Sequence, residues 1–178
     1  QKEHELNELE IKPYFGIHQM IEAALYCANR LFNLSFVPIE VLLYHKDCKA
    51  WEVFRDDKAV GLFIGDHFAR PSKRSGAWCS AFQSQAKFPI LQKPIVLNVC
   101  NFAKGSPTLL SFDDAQTLFH EFGHALHQLL SNVTYEPLSG TAVSRDFVEL
   151  PSQLYEHWLT VPEVLKQFAL HYETKQPI

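Results

Sequence analysis

The sequence predicts an α+β fold, a mainly helical core beside a small antiparallel β-sheet. Three observations carry that expectation. Apolar residues recur at helical spacing over 17–32, short β-rich runs separated by turn signals fill about 51–102, and helical periodicity returns from 112 onward. With 178 residues, 47% hydrophobic and 20% charged, the chain is long enough to bury one sizeable core and too apolar to be disordered. Residues 1–178 therefore read as a single unit.

Ile17, Met20, Ile21, Ala24, Leu25, Ala28, Leu31 and Phe32 share one face of the first helix, 17–32, and Pro38 closes that region. The runs WEVFRD, AVGLFIGDHF, AWCSAFQS and PIVLNVCNF are strand candidates, joined by the turn-prone DDK, ARPSKRSG and KFPILQKP. Ser111 is placed to cap a helix over about 112–130, with Asp113 and Asp114 in its first turn, where negative charge favours the helix dipole. A polar loop containing Gly140 leads to a further helix over about 147–159. Pro151 fits its first turn, where a missing N–H costs little. A last helix begins near Pro162.

Sixteen basic residues against twenty acidic give a net charge of −4, and the basic ones form no stripe that could follow phosphates. Nucleic acid is excluded as an expected partner. No apolar run approaches the ~18 residues of a membrane span, and the opening QKEHELNELE is acidic where an export signal is basic and then apolar. No membrane association is expected. Cys27, Cys48, Cys79 and Cys100 are widely separated, with no C-x-x-C pair, and read as buried thiols of a cytoplasmic protein. The first residue is Gln, which points to a processed chain or a piece of a longer one.

The third helix contains His120-Glu121-Phe122-Gly123-His124, an H-E-x-x-H arrangement that this composition yields by chance only about 0.03 times. Four residues on a helix bring two imidazoles to one face, one turn apart, where both can reach one metal ion. Glu121 lies about 100° round the wheel, placed to meet a metal-bound water instead of the metal. A catalytic zinc needs a third protein ligand. His127 is two turns from His120, about 10.5 Å along the axis, too far for three rings of a straight helix to converge, which suits it to a supporting or structural role. The following helix offers its acidic residues and His157; among these, Glu149 can swing in from an adjacent antiparallel element. Asp146, one turn earlier, and Ser152 or Gln153, one turn later, are placed to orient a ligand.

FHEFGHALHQLL followed by LSGTAVSRDFVELPSQLYEHW, with 29 residues from His120 to Glu149, resembles the thimet oligopeptidase and dipeptidyl carboxypeptidase family of zinc peptidases. GLFIGDHFARPSKRSGAWCS, PIVLNVCNFAKGSPTLLSFDDAQTLFHEFGH and KPYFGIHQMIEAALYCANRLFNLSF extend the likeness over nearly the whole chain, with wording that leans toward the dipeptidyl carboxypeptidases. The resemblance implies a zincin-like catalytic core, one zinc per chain held by His120, His124 and Glu149, Glu121 as general base, and short peptides as substrates. Family enzymes are several times longer and place a tyrosine and a histidine downstream of the third ligand. Tyr155, His157, His171 and Tyr172 match no such motif, so the chain reads as a core segment with apolar faces free for self-association.

A substrate backbone is expected along an exposed strand near Gly76, Ala77 and Trp78, within Gly76 to Ser80. Arg70, Lys73 and Arg74 read either as an anchor for a substrate carboxylate or as an ordinary solvated turn. Two rival functions stand beside an active peptidase: a zinc-binding but catalytically incomplete fragment, and a peptide-binding module without metal.

Overall fold

Most of the apolar face of the first long helix is buried in the core. The computed structural model describes residues 8–178; the acidic start of the chain, residues 1–7, lies outside them. Helix α1 is Glu8–Ile11, and α2 spans Ile17–Phe32, ending at Asn33 in the left-handed conformation that suits an asparagine C-cap. Met20, Ala23, Ala24, Cys27 and Ala28 of α2 are among the most deeply buried residues of the core.

Five strands follow: β1 (Leu34–Ile39), β2 (Lys49–Arg55), β3 (Lys58–Phe68), β4 (Trp78–Gln83) and β5 (Ile95–Phe102), in the spatial order β1-β2-β3-β5-β4. The sheet departs from the antiparallel expectation, since β3 and β5 run parallel while the other neighbours are antiparallel. The chain crosses over β5 to lay β4 at the far edge, a choice that side-chain alternation alone cannot encode. The near-continuous burial of β5 is the pattern of a strand covered on both faces. The sheet also starts earlier than 51: Leu34–Ile39 forms an edge strand, where Pro38 is tolerated because an edge needs no ladder N–H at every position.

Helix α3 (Phe112–Leu129) begins at Ser111, whose Oγ accepts from Asp114 N–H at 2.9 Å while Asp114 Oδ2 accepts from Ser111 N–H at 3.2 Å, a complete capping box. It lies across the sheet and buries Ala115, Leu118, Phe119, Phe122, Ala125 and Leu126 against α2 and the strands. The expected helix over 147–159 is shorter. Residues up to Glu149 form turns, α4 covers Leu150–Glu156, and a 3-10 turn continues over His157–Thr160. Pro151 sits in the first turn of α4, and no side chain caps the helix ahead of it. Helix α5 spans Pro162–Phe168. The Tyr155 hydroxyl donates to the Ala24 carbonyl at 2.7 Å, tying α4 to α2. Among the described residues, no helix is long and apolar enough to cross a membrane, and all four cysteines are free thiols.

Candidate metal centre

One glycine lets the two helices of the site approach. A Cβ built on Gly123 would lie 2.6 Å from Ser152 Cα, 3.0 Å from the Pro151 carbonyl oxygen and 3.0 Å from Tyr155 Cβ. Only a residue without a side chain fits between α3 and α4 there. A second close approach guides the connecting loop, because Gly140 adopts a positive φ of 55° with its backbone pressed on Gln128. The chain thus returns along α3 and delivers Glu149 to the face that carries both H-E-x-x-H imidazoles.

His124 Nε2 stands 3.0 Å and His120 Nε2 3.3 Å from Glu149 Oε2, and one ligand atom from each of the three residues lies within 4.8 Å of the others. Donors bound about 2.0–2.2 Å from a tetrahedral zinc are separated by about 3.3 Å, so the spacing fits that ion. The donor set fits as well. The His120 Nδ1 meets Glu156 Oε1 at 2.5 Å, and Gln116 Nε2 donates to Glu156 Oε2. Burial pushes the Glu156 carboxyl up, but the bonds from Gln116 and His120 outweigh it and hold the group below its usual value. An ionised carboxylate only accepts, so the proton of His120 sits on Nδ1 and the Nε2 lone pair faces Glu149 and His124.

Burial lowers the His124 pKa, with the Glu149 carboxylate opposing it. Two imidazoles, one disfavoured as a cation, therefore converge on one carboxylate oxygen, an arrangement a metal cation completes. For Glu149, partial burial raises the pKa, but the bond from Ser152 Oγ at 2.9 Å and the adjacent His124 and His120 together bring it below the ordinary value. Glu121 is buried, and desolvation raises its pKa; His120 opposes and Glu149 adds to the rise. It shares with His120, Gln116, Glu156 and Ala77 a cleft of about 440 Å³. A carboxylate with raised proton affinity, open to a cleft, is suited to accept a proton from water.

The remaining sequence candidates are distributed differently. The His127 ring packs edge-on to Phe147 and lines a separate apolar groove of about 610 Å³ behind α3, away from the three ligand atoms. Asp146 is exposed on the preceding turn. Gln153 is exposed and meets Glu149 through its backbone N–H, which donates to the Glu149 carbonyl at 2.9 Å, while Ser152 supplies the side-chain contact. Gly76 and Ala77 lead into Trp78, the first residue of the edge strand β4. Arg70 and Lys73 are neither a free anchor nor a solvated turn: both bind Asp66. Glu156 and Gln116 were not singled out by sequence reasoning. Their signal was present, since Gln116 lies one turn before His120 and Glu156 one turn after Ser152, but their meeting depends on how α3 and α4 cross.

The sequence pattern of Peptidase family M3 matches residues 1–178. The chain is 46% identical over 177 residues to the dipeptidyl carboxypeptidase of Escherichia coli K12, a match covering 96% of this chain and 26% of that protein. It is 34% identical over 188 residues to oligopeptidase A of the same organism, covering 100% and 28%. It is 31% identical over 192 residues to the chloroplastic/mitochondrial organellar oligopeptidase A of Arabidopsis thaliana, covering 100% and 24%. The chain spans about a quarter of the length of these relatives. With the H-E-x-x-H helix, the converging Glu149 and a match over its full length, the chain belongs to Peptidase family M3.

Proposed function

We propose that residues 1–178 are a single zincin-like core segment of a zinc-dependent peptidase acting on short peptides, with one ion per chain held by His120, His124 and Glu149. The observation that carries this reading is the convergence of two imidazole nitrogens and one carboxylate oxygen beside the buried Glu121. Zinc, when bound, supplies a Lewis acid that polarises the scissile carbonyl and acidifies water toward neutrality. Glu121 accepts the proton of the attacking water and returns it to the amine nitrogen as the C–N bond breaks. Glu156 and Gln116 hold the His120 ring in one tautomer, and Ser152 orients Glu149. The edge strand β4, entered through Gly76, Ala77 and Trp78, offers backbone groups to an extended peptide beside His120 and Glu121.

Removal of C-terminal dipeptides is the specific activity we assign, because a relative at 46% identity is a dipeptidyl carboxypeptidase. The four free thiols support a cytoplasmic location. The relatives' names point to peptide substrates and give no support to self-association. A second reading, zinc binding with little turnover by this chain alone, is favoured by its covering only about a quarter of its relatives' length.

The test combines zinc titration against a graded chelator with turnover of a free and a C-terminally amidated peptide. Glu149→Ala should weaken zinc binding by tenfold or more, and Glu121→Gln should keep zinc while abolishing hydrolysis. Zinc binding unaltered in Glu149→Ala would remove the assigned ligand. Internal cuts indifferent to amidation would replace dipeptide release with endo-acting hydrolysis, and zinc binding without turnover would select the second reading.

A further inference from the structure

The turn between β3 and β4 carries the cations Arg70, Lys73 and Arg74, and its folding gives two of them an internal task. Lys73 is 4% exposed at its side chain, and its Nζ donates toward Asp66 Oδ1 at 3.2 Å, the Asp66 carbonyl at 3.0 Å, the Phe68 carbonyl at 2.8 Å and the Cys100 carbonyl. Arg70 reaches both Asp66 oxygens at 2.7 Å, and the Tyr44 hydroxyl donates to Oδ2 at 2.9 Å. These acceptors belong to β3 and β5, at the end of the sheet where the register of that pair slips between Asp66 and Phe68. Lys73 therefore fastens the turn to both strands at once. One residue beyond Cys100, the half-buried Asn101 fastens it again, its Nδ2 donating to the Arg74 and Gly76 carbonyls at 2.7 Å each. Both amide protons are used, on carbonyls two residues apart.

The chain leaves this doubly fastened turn at Gly76 and passes directly into Ala77, which lines the cleft beside His120 and Glu121, and then into β4, whose outer edge has no neighbouring strand among the described residues. We infer that Asn101, backed by Lys73, is a positioning residue: its two hydrogen bonds set the Gly76–Trp78 backbone against His120 and Glu121, and so fix where a bound peptide places its reacting carbonyl. The inference rests on the edge-strand reading of peptide binding above. A displacement of about 1 Å at a reacting centre costs on the order of 100-fold in rate, so a turn that sets this register governs the site without touching substrate.

The experiment uses the zinc-loaded chain, with Asn101→Asp as the near-isosteric change that replaces a two-proton donor by an acceptor facing two carbonyls. Backbone amide exchange is followed by mass spectrometry over 76–83 and over α3. Binding of a dansyl-labelled tetra-alanine peptide is measured in a Glu121→Gln background that prevents turnover. Asn101→Asp should accelerate exchange over 76–83 and weaken peptide binding by tenfold or more each, with α3 exchange and zinc affinity within twofold of the parent. Lys73→Met should reproduce the local loosening and Lys73→Arg should largely restore it. Unchanged exchange and peptide affinity in Asn101→Asp overturn the inference alone, as does acceleration spread equally over α3, which marks a merely structural role. A parent chain that binds zinc but not the peptide overturns the edge-strand reading and the inference with it.

Discussion

Replacing Gly123 with alanine places a methyl group 2.6 Å from Ser152 Cα and 3.0 Å from the Pro151 carbonyl oxygen, where no side-chain rotation relieves the contact. Because the obstacles are backbone, α4 must retreat by about 1 Å to restore ordinary van der Waals distance. Overpacking of this kind costs about 1–3 kcal/mol, against which alanine's better helix propensity offers about 1 kcal/mol, so the zinc-free chain should lose at most about 2 kcal/mol. The larger effect falls on the site. Glu149 precedes Ser152 by three residues and moves with α4, whereas His120 and His124 stay on α3. Metal bonds tolerate a mismatch of only about 0.2 Å, so the three donors, now 3.0 and 3.3 Å apart, cannot all be satisfied after such a shift. Zinc affinity should fall by tenfold or more, read by competition with a graded chelator and by the loss of zinc-induced thermal stabilisation. A Gly123→Ala chain that binds zinc within threefold of the parent would refute the claim that this close crossing places the third ligand.

Glu156→Gln keeps the shape but removes the charge that orders the His120 tautomer, and should weaken zinc binding by about 10–100-fold, with Glu156→Ala at least as severe in the same chelator titration. Burial lowers the His67 pKa to about 4 from 6.5. The unfolded chain takes up that proton first, so stability present above pH 6.5 is lost as pH falls toward 4, by about 3 kcal/mol in total. Urea denaturation of the zinc-free chain across this window should show that loss, reduced in His67→Gln; identical pH profiles would count against it. Tyr155→Phe deletes the bond to the Ala24 carbonyl and should cost about 1 kcal/mol, a fall of a few degrees in melting temperature, with zinc affinity kept.

Much of this protein is local chemistry, and local chemistry is legible in a sequence. The periodicity of Ile17–Phe32, the Ser111–Asp114 cap of α3 and the four-residue step between His120 and His124 each depend on residues within a few positions of one another. The proposed metal centre starts from that step, and the family from the longer pattern reaching Glu149. What lay beyond the sequence has a common cause. Strand direction depends on a crossover, so β3 and β5 proved parallel where alternation suggested an antiparallel sheet. Pro38 marks an end by local rules, yet an edge position lets it sit within β1. Glu156 meets His120 from 36 residues away, and Lys73 and Arg70 turn inward because Asp66 needs partners at the buried end of β3. Those pairings belong to packing between elements, which the tertiary structure alone decides: a side chain's partner is set by which surfaces bury together, and one sequence position carries no record of the position it will face.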